Sequence, residues 1–93
     1  MKNMTNAATT KFITISTISD AWGDTTAAPE FNAVREACKI GEAAEAHGIT
    51  VYTDETPPRD VREDGIEIDW FATWCREGWL WNDEQWIAFF AGC

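Results

Sequence analysis

Asp69-Trp-Phe-Ala-Thr-Trp-Cys-Arg-Glu-Gly-Trp-Leu-Trp-Asn-Asp-Glu-Gln-Trp-Ile-Ala-Phe-Phe90 holds five of the six tryptophans of a 93-residue chain, with Phe71, Phe89 and Phe90 among them. One aromatic side chain can bury roughly 150–250 Å², so a chain this short cannot leave the whole segment in water. It must be core, interface or both. The first part of the segment has two readings. Ile66, Ile68, Trp70, Ala72 and Trp74 keep a period of two, which extends a strand toward a turn at Arg76-Glu-Gly78. Against this, Asp69 suits an N-cap, Trp70 and Trp74 stand four apart, and Gly78 suits a stop. The balance favours a short helix over Trp70–Glu77. Trp79-Leu-Trp81 then reads as an extended link. Asn82-Asp-Glu-Gln85 has the spacing of a capping box and predicts a last helix that ends near Gly92, with Trp86, Phe89 and Phe90 turned inward.

Working toward the N-terminus, Ile66–Asp69 alternates as a short strand. Asp54–Asp60 reads as a loop because Pro57 and Pro58 suit neither helix nor central strand, and Val61–Asp64 has room for one helical turn before Gly65. Ile49–Thr53 alternates and reads as a strand. A helix is expected from about Pro29 to His47, since proline fits a first turn and Gly48 a helix stop. Its apolar stripe reads as Phe31, Val34, Ala37 and Cys38, widened by Ile40 and Ala44. Arg35, Glu36, Lys39, Glu42 and Glu45 take much of the rest, and His47 suits the negative end of the helix dipole. Lys11–Ser19, rich in β-branched residues, reads as the first strand. Gly23 marks the turn after it, and Trp22 is expected to cap the core. Strand, long helix and strand are compatible with a parallel crossover. Residues 1–10 are small and polar and read as a flexible tail, in which Met4 offers a second possible start.

The fold class expected is therefore α+β: a small β-sheet with one long helix packed on it and a Trp-rich C-terminal helical region, all within a single compact domain over residues 11–93.

The totals narrow the function. A formal net charge of −9 on so short a chain favours an electropositive partner and disfavours direct binding to nucleic acid or an anionic membrane. Cys38, Cys75 and Cys93 are widely spaced, His47 stands alone, and no Cys-x-x-Cys pair occurs, so a zinc site is not expected. No apolar run approaches the ~20 residues of a membrane span, and the first residues lack the apolar core of a secretory signal. Reduced thiols in the cytoplasm are the expectation. No glycine-rich phosphate loop is present. Asp60, Asp64 and Glu67 do not match a calcium loop, and neither metal nor cofactor is expected. A cysteine nucleophile needs a nearby base, which one helix-terminal histidine supplies poorly. The chain is not expected to be an enzyme.

The most acidic stretch lies directly before the tryptophans. Asp54, Glu55, Asp60, Glu63, Asp64, Glu67 and Asp69 outnumber Arg59 and Arg62 there. Carboxylates spaced along a loop and strand can imitate a phosphate backbone, and a protein that grips nucleic acid with lysine and arginine would meet them with the same groups. These seven residues are the partner-binding candidates; the bland alternative is a solvated acidic loop. In length, negative charge, absence of a catalytic signature, reduced cysteines and α+β pattern, the chain resembles the small acidic inhibitors carried by phages and plasmids, the anti-CRISPR and anti-restriction proteins. The resemblance is one of type, carried by no motif. It implies occupation of a basic nucleic-acid-binding surface on a nuclease effector complex in the host cytosol. An immunity protein that neutralises a basic toxin nuclease would use the same physics, and a subunit that uses its tryptophans as an oligomer contact is a further alternative.

Overall fold

The computed structural model describes residues 9–27 and 30–93. It has the α+β architecture expected: a three-stranded parallel sheet in the order β2-β1-β3 with helices around it. The strands are β1 (Lys11–Ile15), β2 (Thr50–Thr53) and β3 (Ile66–Glu67), and the helices are α1 (Ala33–Glu45), α2 (Arg59–Asp64), α3 (Phe71–Arg76) and α4 (Asp83–Ala91). Two 3-10 segments, Ser19–Ala27 and Gly78–Leu80, complete the chain.

β1 pairs with β2 from Phe12↔Thr50 to Ile15↔Thr53, so β1-α1-β2 is the parallel crossover. β3 lies on the other side of β1, also parallel, with Lys11↔Ile66 and Phe12↔Glu67 in register. Ile13 and Ile15 are buried in the main core with α1. Phe12 has the opposite parity and points to the other face, edge-on to Tyr52 at 6.0 Å between ring centroids. Gly65, at the end of α2, closes over Phe12: a Cβ there would stand 2.5 Å from the Val61 carbonyl and 3.1 Å from the Phe12 ring. Successive crossovers that run in opposite directions along a sheet, each of the usual hand, place their helices on opposite faces. This is why α1 and α2 do not share one.

Several boundaries differ from the expectation. β1 stops at Ile15 rather than Ser19, because Ser16 Oγ accepts the Ile18 N–H (2.9 Å) and turns the chain. The helix expected from Pro29 begins at Ala33. Pro29 itself lies outside the described residues, and Asn32 is the cap, its side chain accepting the Arg35 N–H at 3.0 Å. The inward stripe of α1 is Ala33, Ala37, Ile40, Ala43 and Ala44; of the expected stripe Ala37, Ile40 and Ala44 are buried and Phe31 packs against the core, whereas Val34 and Cys38 are exposed. Small residues win because the helix must approach the sheet closely. At its far end the left-handed Gly48 (φ 73°) stops the helix, and the Ile49 N–H returns to the Ala44 carbonyl at 3.1 Å. β2 accordingly begins at Thr50. α2 starts at Arg59, earlier than expected, directly after Pro58. β3 is two residues long because, after the Ile68 N–H meets the Phe12 carbonyl (3.0 Å), Asp69 starts the next helix. Of the tail expected over residues 1–10, residues 1–8 lie outside the described residues, while the Thr10 carbonyl accepts the Ile66 N–H at 2.8 Å.

The disputed segment is helical. Asp69 Oδ1 accepts the Ala72 N–H at 3.2 Å and starts α3. Gly78–Leu80 forms a 3-10 turn, not the extended link expected. A Cβ on Gly78 would fall 2.5 Å from the Trp86 ring, so the turn and α4 meet at a contact that only glycine permits. The capping box of α4 is complete: Asn82 and Gln85 exchange side-chain and backbone bonds, each of 2.9 Å. α4 packs beside α1, and beyond its end the Cys93 carbonyl accepts from Lys11 Nζ on β1.

Five of the six tryptophans form two groups, and Trp79 stays exposed. Trp22 meets Phe31, Trp70, Phe71 and Trp74 at ring separations of 5.0–6.0 Å, so the isolated Trp22 does cap the core. Trp81, Trp86, Phe89 and Phe90 form the second group, along α4. Alternate carbonyls of β1 and of the residues just before and after it are satisfied in sequence. Thr10 and Phe12 take the N–H groups of Ile66 and Ile68 (2.8 and 3.0 Å). Thr14 then takes the Trp70 indole (2.9 Å) and Ser16 the Trp22 indole (3.1 Å).

Candidate functional site

The seven acidic candidates are all exposed, and the fold divides them by what they do. Asp54 follows β2 with φ 55°. Its carboxylate accepts the Thr17 N–H at 3.0 Å and the Thr17 hydroxyl as well. These bonds, led by the hydroxyl, hold the Asp54 carboxyl below its ordinary value. The clasp joins the carboxyl ends of β1 and β2, whose crossovers leave toward opposite faces. Glu67 accepts the Thr14 hydroxyl at 3.1 Å across the sheet, and Asp69 caps α3. These three carboxylates therefore have structural partners.

The other four stand apart from the fold's own bonding. Glu63 pairs only with Arg59, at 2.7 Å between side chains that are 58% and 81% exposed, an arrangement worth little in water. Glu55, Asp60 and Asp64 make no ion pair or side-chain hydrogen bond to another described residue. Asp60 and Asp64 border one shallow hollow with Thr10 and Val61; Glu67 and Asp69 border another with Thr14 and Trp70. The strip is thus not a straight line. It leaves the carboxyl end of β2, follows α2 to the amino end of β1, and returns along β3. Among the described residues, no group of three or more His, Cys, Asp or Glu is placed to hold a metal ion.

A second surface lies around Arg35. Phe31, Arg35, Glu36, Trp74, Cys75 and Trp79 line an open groove of about 480 Å³ between the start of α1 and α3. Glu36 anchors its floor, accepting the Trp74 indole at 3.1 Å and pairing with Lys39 at 2.9 Å. Lys39 also donates to the Trp81 carbonyl at 3.1 Å, so it ties α1 to the chain before α4 rather than facing a partner. Arg35 makes no side-chain bond to a described residue, and Trp79 is 53% exposed beside it. Phe31 precedes the Asn32 cap and also packs on Trp22 and Trp74, so no spacing in the sequence signals the groove. His47 and Cys75 lie toward opposite ends of α1, a helix about 20 Å long, too far apart to act as a base and nucleophile pair.

None of the three cysteines is paired, and all are exposed. Among the described residues, no helix is long and apolar enough to cross a membrane. No family model, curated protein or solved structure matches the chain.

Proposed function

We propose that this chain is a binding protein, an acidic inhibitor of the anti-CRISPR type that occupies a basic nucleic-acid-binding surface on a nuclease effector complex. The observation that carries the reading is the division among the seven carboxylates. Glu55, Asp60, Glu63 and Asp64 are exposed and are not used to hold the fold together. Set in a chain of net charge −9, they offer a partner's lysines and arginines exposed carboxylates at the end of β2 and along α2, of which only Glu63 has an ion pair, to Arg59. Such charge steers encounter and adds affinity where a pair becomes desolvated. Trp79 and Leu80, 53% and 70% exposed on the 3-10 turn Gly78–Leu80 beside α3, offer a separate apolar anchor.

The test is a pull-down and nuclease inhibition assay against candidate effector complexes, with Glu55→Gln, Asp60→Asn, Glu63→Gln and Asp64→Asn combined. Folding should be unchanged, and each lost contact should cost about 1–3 kcal/mol at a desolvated position and less at a rim. Affinity should also fall between ~50 and ~300 mM salt, because exposed charges are screened. Undiminished inhibition by the combined variant would refute the reading. Inhibition confined to a basic toxin nuclease would instead identify an immunity protein.

A further inference from the structure

We propose that the outer edge of β2, with the groove between it and α1, binds an extended basic segment of a partner protein, which joins the sheet as a fourth strand. The proposal rests on the reading of a basic protein partner and adds where, and in what conformation, part of that partner is held.

The sheet order leaves β2 at an edge, and the backbone fixes which groups face outward. The Asp54 N–H points to β1, where it meets the Ile15 carbonyl at 3.0 Å. In a strand, the N–H and C=O of one residue point to the same side and alternate along the chain. Thr50 and Tyr52 therefore serve β1, while Val51 and Thr53 turn an N–H and a C=O each toward the open edge. Exposed edges of this kind are normally blunted by lysine, proline or an inward-pointing charge. Thr50-Val-Tyr-Thr53 has none of these. Its shortness limits pairing to the four outward groups of Val51 and Thr53.

The chemistry beside the edge selects the occupant. On the α1 face, Val51 and Thr53 border an open groove of about 210 Å³, with Ala37 and Gly41 from α1 in its walls. A Cβ on Gly41 would lie 3.5 Å from Val51 Cγ1, so the glycine leaves space beside the strand where a larger side chain would stand. Glu42 and Glu45 rim the groove, exposed and without an ion pair to any described residue. A lysine stem fits along Ala37 and Gly41, with its ammonium between the two carboxylates, as long cationic side chains commonly lie on apolar surface. A second copy of this chain is a poor occupant. Pairing two such edges about a twofold axis would set Glu42 and Glu45 near their own copies, on molecules that each carry −9. Strand addition draws affinity from main-chain bonds and specificity from alternate side chains. Here the alternate side chains called for are basic.

The probe is a capped Gly-Lys-Val-Lys-Val-Lys-Gly peptide, titrated into the isotope-labelled full chain. A charge-matched control replaces both valines with proline, which cannot form the ladder. The expected result is a set of amide shifts centred on Val51 and Thr53, with exchange of those two N–H groups slowed at least tenfold. The proline control should bind at least tenfold more weakly, and so should the valine peptide to a Glu42→Lys, Glu45→Lys double variant that remains folded by circular dichroism. Equal binding of both peptides, with shifts on α2, would overturn the edge site and leave the basic-partner reading standing. Failure of both peptides to bind would count against the two together. Protection of Val51 and Thr53 without peptide, with dimers in sedimentation, would assign the edge to a second copy and overturn the proposal.

Discussion

The two aromatic groups are made of the same residues and held by different forces. In the group at the sheet, all three indoles donate to acceptors within the protein: Trp22 to Ser16, Trp70 to Thr14 and Trp74 to Glu36. In the group along α4, Trp86 is fully buried, and its indole N–H has no hydrogen-bond partner among the described residues. The first group is placed by direction as well as contact. The second is placed by contact, with the capping box of α4 setting the helix that carries it. Indoles with a bonded N–H specify position, because a buried polar group has a strong preference for its partner. Rings held by packing alone specify volume.

The largest effect should be common to both groups. Trp74→Ala and Trp86→Ala should each cost about 3–5 kcal/mol, a large part of the stability of a small domain, and urea denaturation should show both variants mostly unfolded. Near-parental stability of either would mean that its group is surface rather than core. A sharper contrast comes from Gly78→Ala. The added methyl has no room beside the Trp86 ring, and overpacking should cost about 1–3 kcal/mol, with shifted signals confined to the α4 group. If signals of Trp22 and Trp70 move equally, the groups are one unit and the comparison fails.

A smaller difference tests the hydrogen bonds themselves. Trp70→Phe and Trp86→Phe each shrink a buried ring, but only the first strands an acceptor, the Thr14 carbonyl. Trp70→Phe should be the more destabilising by about 1 kcal/mol; the reverse order would show that packing dominates in both groups. The smallest effect concerns acid. The Asp54 carboxyl is held below its ordinary value chiefly by the Thr17 hydroxyl, then by the Thr17 N–H. Its contribution is complete above the ordinary carboxylate range and is lost as pH falls through the lowered folded value. Asp54→Asn should flatten the acid limb of the stability profile. In the parent, indole resonances of the sheet group should shift before those of the α4 group, since Ser16 and Thr17 lie beside Trp22.

Much of this was legible in the residues. The parallel β1-α1-β2 unit, the Asn82 box, Gly23 and Gly48 as turn residues and the helical reading of α3 followed from local chemistry. α1 was harder. Its expected stripe was drawn too wide: Ala37, Ile40 and Ala44 do face inward, but Val34 and Cys38 are exposed and Ala33 and Ala43 take their place. The close approach of β2 and α4 favours the small residues over the more hydrophobic ones. Leu80 and Trp79 looked like linker because nothing nearby in sequence announces that Gly78 lies against Trp86. The acidic candidates were visible as a cluster. The separation of Asp54, Glu67 and Asp69 from the rest depends on Thr17, Thr14 and the α3 backbone, which are remote in sequence or invisible as a motif. The groove at Arg35 was likewise hidden, since it joins two segments far apart in the chain.

The row of β1 carbonyls served first by two amides and then by two indoles has a consequence for how the chain finds its alignment. A strand that slips by two residues puts each side chain back on its proper face, so alternation alone is a weak ruler. Trp70 and Trp22 break that degeneracy. They reach neighbouring sites on one ladder from segments that arrive by separate routes, and a slipped β3 would leave one indole without its carbonyl. The pair works like the two scales of a vernier: each is coarse alone, and together they admit a single setting.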